Sequence, residues 1–183
     1  MNKKLLVLMI FSSLLWNACE DTTKPLPIPT SGITLIDTKI RDGRSSGFSF
    51  STATMIFFPN NLGSLPDVMV SVQISQTGSI LGTFLSGPNF PSPTFQLLKQ
   101  FSTLDSAQAF YQTVIDISDT TFVALAIPIQ IGQIWAVRTR EDKYAKILVR
   151  NSLAYEDTSV PNAPPYGQVE IAWTFQPNGT RQL

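Results

Sequence analysis

Gln133-Ile134-Trp135-Ala136-Val137-Arg138-Thr139, then Arg140-Glu141-Asp142, then Lys143-Tyr144-Ala145-Lys146-Ile147-Leu148-Val149-Arg150, reads as a β-hairpin. Pairing Thr139 with Lys143 across the three-residue loop puts Trp135, Val137, Ala145, Ile147 and Val149 on one face. Arg138, Tyr144, Lys146 and Arg150 then fall on the other. Side chains alternate with a period of two, so a slip of one residue would mix the two sets, and the apolar pattern itself selects the register. Hairpin loops of this length commonly end in a left-handed residue, a position that falls to Asp142.

The same alternation recurs outward from this hairpin. In Gln168-Val169-Glu170-Ile171-Ala172-Trp173-Thr174-Phe175-Gln176, the residues Val169, Ile171, Trp173 and Phe175 share the inward face. Pro177-Asn178-Gly179-Thr180 follows as a tight turn, after which Arg181, Gln182 and Leu183 are expected to pair back as a short edge strand. Upstream, Val68, Val70, Val72 and Ile74 line one side of a strand, and Phe48 and Phe50 one side of another. Ile33 to Ile40 and Phe122 to Ile131 are further strand candidates, Pro128 confining the second to an edge, a bulge or an interruption. Gly87 to Pro93 is a rigid proline-rich loop. One segment has helical spacing: Ala107, Phe110, Tyr111 and Val114 follow an Asp105/Gln108 capping pattern, which predicts a short amphipathic helix over 106–115. The expectation is an all-β domain over 33–183, an antiparallel sheet or sandwich carrying one short helix.

The N-terminal segment carries a different signal. Lys3 and Lys4 precede an apolar run from Leu5 to Trp16, which ends in Asn17-Ala18-Cys19. A charged start, an apolar core too short to span a bilayer comfortably and a small residue before the break make a secretory signal peptide, and a cysteine at the break is the mark of a bacterial lipoprotein. This predicts a signal peptide over 1–18 and a diacylglycerol on Cys19, the other reading being an ordinary secreted protein with a stray cysteine. Residues 19–32, with prolines at 25, 27 and 29, read as an extended tether. Glu20-Asp21 resembles the export signal that sends some Gram-negative lipoproteins to the outer face of the outer membrane, or else is simply a pair of solvated charges.

Composition narrows the chemistry. The chain has 13 basic and 13 acidic side chains and no histidine, and loss of Lys3 and Lys4 with the signal leaves a net charge of −2. Nucleic acid is thus an unexpected partner, since phosphate binding calls for a basic excess. The missing histidine removes the usual general base and the commonest metal ligand. With its one cysteine lipidated, the folded part has neither disulfide nor thiolate, so packing must supply its stability.

Two segments carry a family resemblance. Val137-Arg138-Thr139…Lys143-Tyr144-Ala145-Lys146 and Trp173-Thr174-Phe175-Gln176-Pro177-Asn178-Gly179-Thr180 are similar to the "(K/R)T…GKYAK" hairpin and closing "YxYQPDG(S/T)" strand of HmuY-like lipoproteins, and Gly47 to Thr52 is faintly like an earlier "FxFxT" segment. Asp142 stands where glycine is frequent, Asn178 replaces the aspartate, and Trp173 takes an aromatic position. The resemblance implies an all-β, lipid-anchored surface protein whose best-known relatives take up haem for a TonB-dependent receptor. It does not carry the haem role over, because the iron of those proteins is typically held by histidines. Met55 and Met69, the methionines outside the signal, are expected to pack in the core rather than to bind iron.

The remaining candidates are a binding surface and an active site. Arg138, Tyr144 and Lys146, with Arg150, could face an acidic ligand or lipid headgroup, or could form a solvated strand face. Tyr155 and Tyr166, placed in a long connection from Ala154 to Gly167, are candidates for a sugar-binding cleft, Trp173 being inward by its phase. The acidic pairs Glu141-Asp142 and Glu156-Asp157 invite a two-carboxylate hydrolase, yet each lies in an expected turn or loop. The favoured reading is a non-catalytic envelope lipoprotein that binds a ligand or partner protein. The alternatives are a hydrolase or binder acting on envelope or extracellular polysaccharide, and a structural envelope component.

Overall fold

The computed structural model describes residues 27–88, 90–117, 121–156, 158 and 163–183. Cys19 and most of the tether lie outside them, as does Asp157. Among the described residues, ten strands are arranged around one five-stranded antiparallel sheet of order β1-β10-β9-β8-β6: β1 (Ser31–Asp37), β6 (Phe95–Gln100), β8 (Gln133–Arg138), β9 (Tyr144–Tyr155) and β10 (Tyr166–Gln176). Against its inner face stand the hairpin β2 (Ser45–Ser49) and β3 (Thr54–Phe58), and a three-stranded sheet of β4 (Met69–Ile74), β5 (Ile80–Ser86) and β7 (Leu125–Ala126). Helix α1 (Leu104–Thr113) covers part of the outer face. The arrangement is sandwich-like and β-dominated.

The β8–β9 hairpin has the register that its alternation requires. Trp135 opposes Ile147 and Val137 opposes Ala145, Thr139 N donates to Lys143 O at 2.8 Å, and Asp142 takes a φ of 55°. Trp135, Val137, Ala145, Ile147 and Val149 join Val169, Ile171, Trp173 and Phe175 in the main core. Phe48 and Phe50 close it from the other side, with Phe48 5.1 Å and Phe50 6.0 Å from the Trp173 ring. Gly47 permits this approach, since a Cβ there would lie 2.5 Å from Val68 O and 2.7 Å from the Pro66 side chain.

Several expectations are corrected. The first strand begins at Ser31, inside the stretch read as tether, because Ser31 and Gly32 pair with Thr174 and Trp173 and Gly32 lets the indole pass close by. Val68 and Val70 are buried, but Val72 is half-buried and Ile74 is 47% exposed. The lower end of β4 runs past the closed core, and the ladder shifts register between Gln73 and Ile74. The helix starts earlier than Asp105 would set it: Thr103 is the N-cap, its Oγ1 accepting from Ser106 N at 3.3 Å, and Asp105 sits in the first turn. Of Phe122 to Ile131, only Leu125–Ala126 is strand, on the edge, with Pro128 just beyond it. The C-terminal residues do not pair back onto β10 but onto the segment after α1, where Gln182 bridges Asp116 and Ile117 N donates to Arg181 O at 3.0 Å.

Candidate functional site

An open cleft of about 1020 Å³ lies at the end of the main sheet where β1 and β9 finish and β10 begins, with β4 and the start of β2 across from them. Strand pairing assembles its rim. Tyr155 is the last residue of β9 and Tyr166 the first of β10, and the two are register partners with ring centroids 5.1 Å apart and planes tilted by 48°. On the next strand Asp37 opposes Gln168, and the Tyr166 hydroxyl donates to Gln168 Oε1 at 2.8 Å. Gly167 lets the layers converge here, because a Cβ on it would stand 2.7 Å from Val72 Cγ2.

An ion pair lies beside the tyrosines. Arg41 Nη1 and Nη2 donate to Asp37 Oδ1 and Oδ2 at 2.8 and 2.7 Å, a bidentate geometry, and Lys39 N donates to Oδ1 at 3.1 Å. The Arg41 hydrogen bonds hold the Asp37 carboxyl below the ordinary carboxylate range despite its burial. Burial, with the nearby Asp37 charge, pushes the Tyr166 phenol up. Arg41 Nη1 also donates to Lys39 O at 3.2 Å, so Nε and the second hydrogen of Nη2 are left without a partner among the described residues. Ser46, which lines the cleft, is 4% exposed, and its Oγ has no hydrogen-bond partner among the described residues. Buried hydroxyls are rarely left so.

The residues grouped at the sequence level therefore separate. Tyr155 and Tyr166 come together at the cleft, on strand ends rather than within a loop. Tyr144 and Lys146 do not join them, and the face that they share with Arg138 is covered rather than solvated over most of its length. Lys146 is 5% exposed, its Nζ donating to Tyr111 O at 2.9 Å and to Val114 O at the end of α1, and lying 4.8 Å from the centre of the Tyr111 ring. Burial lowers its pKa. Tyr144 is buried beside Ile117 and Ala136, with Arg181 over its ring. Arg138 stands at the margin, half-exposed, over the Phe122 ring and donating to Pro93 O at 3.1 Å. Arg150, at the far end, is likewise half-exposed and is paired with Glu170 at 2.9 Å.

The other candidates are placed more simply. Glu141 and Asp142 lie in the β8–β9 turn, where Glu141 pairs with Lys143, and Glu156 is exposed just beyond β9. Met55 packs half-buried on the core and Met69 lines the cleft. Among the described residues, no group of three or more aspartates and glutamates could hold a metal ion, and no helix is long and apolar enough to cross a membrane. Sequence reading missed Asp37, Arg41 and Ser46. The available signal was an acid and a base four residues apart where a predicted strand runs out. No family model, curated protein or solved structure matches the chain.

Proposed function

We propose that this is a non-catalytic, lipid-anchored envelope protein, held at the outer membrane through Cys19, that captures a ligand in the cleft bounded by Tyr155, Tyr166, Asp37 and Arg41. The observation that carries the reading is that cleft. It is roomy and open, two aromatic rings and an arginine with unused donors converge on it, and a buried serine hydroxyl lacks a partner at its wall. Convergent polar groups in a partly apolar concavity are the usual form of a small-molecule site. The bidentate Asp37–Arg41 pair and the Tyr166–Gln168 bond fix the side chains before any ligand arrives, which lowers the entropic cost of binding. The charged, apolar and small-residue succession before Cys19 supports the anchor, and the likeness to HmuY-like lipoproteins supports delivery to a TonB-dependent receptor. Composition argues against haem held by histidine, as the chain has none.

Two experiments test this. Labelled palmitate should enter the wild type and not Cys19→Ser, and incorporation that ignores the substitution would end the lipoprotein reading. A thermal-shift screen of the full chain in detergent, against sugars, amino acids, fatty acids and haemin, should find a ligand whose stabilisation disappears in Tyr155→Ala. Stabilisation by every ligand that survives this substitution would remove the cleft from the account.

A further inference from the structure

Resting on the reading of the cleft as a binding site, we infer that its ligand is an acidic glycan, a chain of pyranose rings bearing carboxylates. The Tyr155 and Tyr166 rings touch each other at a tilt on the cleft rim, and Tyr155 remains 46% exposed although its strand is hydrogen-bonded on one side. A pyranose presents an apolar face of C–H groups, and an exposed aromatic face is the surface that suits it, whereas a tyrosine pair serving the core would be covered. An open trough admits a polymer, while a closed cavity would admit only a small free molecule. The cleft is of the open kind.

Charge identifies the class of sugar. Among the described residues, Lys39, Arg41 and Asp37 are the ionisable groups at this rim besides the tyrosines. Asp37 is engaged by Arg41 and by the Lys39 backbone, so one unit of positive charge is left over. The unused hydrogens of Arg41, on Nε and Nη2, form the edge of a planar fork suited to a carboxylate, and the Lys39 ammonium has no partner among the described residues. A neutral glycan would leave the cationic donors unused.

The test is calorimetric titration of the full chain in detergent with oligogalacturonate and with the same chain methyl-esterified. Oligogalacturonate should bind, and esterification should weaken it about tenfold or more, the loss of a charged hydrogen-bonded contact. Tyr155→Ala should weaken binding about tenfold while Tyr155→Phe, which keeps the ring, stays within about threefold. Lys39→Gln should reduce the preference for the free acid, the Arg41 fork keeping the rest, and leave the unfolding midpoint unchanged. Equal binding of the ester overturns the acidic assignment. Binding of neither chain overturns the glycan altogether, and if the thermal-shift screen still yields a ligand lost in Tyr155→Ala, the cleft remains a binding site for another class of molecule.

Discussion

Replacing Lys146 by methionine separates a structural lysine from a surface one. Methionine keeps a long unbranched stem of similar length but removes the ammonium. That ammonium donates to the carbonyls of Tyr111 and Val114, which the end of α1 leaves without helical partners. Charge-assisted hydrogen bonds contribute roughly 1.5–3 kcal/mol each, and the two together exceed the desolvation cost that the variant no longer bears. The net expectation is a loss of about 2 kcal/mol, with the fall in midpoint roughly 4–8 °C for a chain of this size. Urea unfolding and thermal unfolding, both followed by far-ultraviolet circular dichroism, measure the loss and the fall in midpoint. Lys143→Met is the control, since Lys143 is paired with Glu141 in an exposed turn and its loss should stay within about 0.5 kcal/mol. An unchanged midpoint in Lys146→Met would mean that this lysine is solvated and that α1 does not seal the outer face of the sheet.

Asp67 and Asp37 should respond to pH with opposite signs. Burial raises the Asp67 pKa above its ordinary 3.8, even though its Oδ2 accepts from Phe50 N at 2.9 Å. Its ionisation therefore weakens the fold as pH rises through the folded value, and Asp67→Asn should gain stability relative to wild type between pH 4 and pH 7, whatever its starting offset. Asp37 is held below its ordinary value by Arg41, so its contribution is present above that value and is lost as pH falls through the folded one. Arg41→Gln should flatten the acid limb of the stability curve, and an unaltered limb would show that the pair is not formed in solution. Gly47→Ala should cost about 2 kcal/mol in urea unfolding, because the new methyl meets the Val68 carbonyl and Pro66, neither of which can move freely.

The parts of the fold that were legible in the sequence are those whose two faces differ in solvation. In β10, Val169, Ile171, Trp173 and Phe175 alternate with residues less deeply placed, and one register satisfies them all. The β8–β9 turn was legible for a different reason: a three-residue loop leaves one position for the left-handed residue, and Asp142 takes it. What a strand cannot reveal is what lands on its polar face. Lys146 and Tyr144 alternate as surface residues would, and α1 and the C-terminal residues bury them by packing on that face. Ile74 failed in the reverse direction, an inward-phased residue on a strand that outruns its core. The site shows the same limit. Tyr155 and Tyr166 were singled out for their chemistry, but their contact depends on β9 and β10 extending right up to the connection, and the joining of Asp37 to that pair depends on β1 lying beside β10. Neither pairing is written in a local pattern.

The chain contains four tyrosines, and their placement gives the cleft an internal control. Tyr111 and Tyr144 are buried on the α1 side of the main sheet, the Tyr111 phenol pushed up to about 12 by burial, whereas Tyr155 and Tyr166 rim the cleft. Titrating oligogalacturonate into protein labelled on its tyrosine rings and recording their nuclear magnetic resonance signals tests the binding site directly. Saturable shifts confined to Tyr155 and Tyr166, with Tyr111 and Tyr144 unmoved, are predicted; no shift at either cleft tyrosine, or shifts centred on Tyr144, would contradict the placement of an acidic glycan in this cleft.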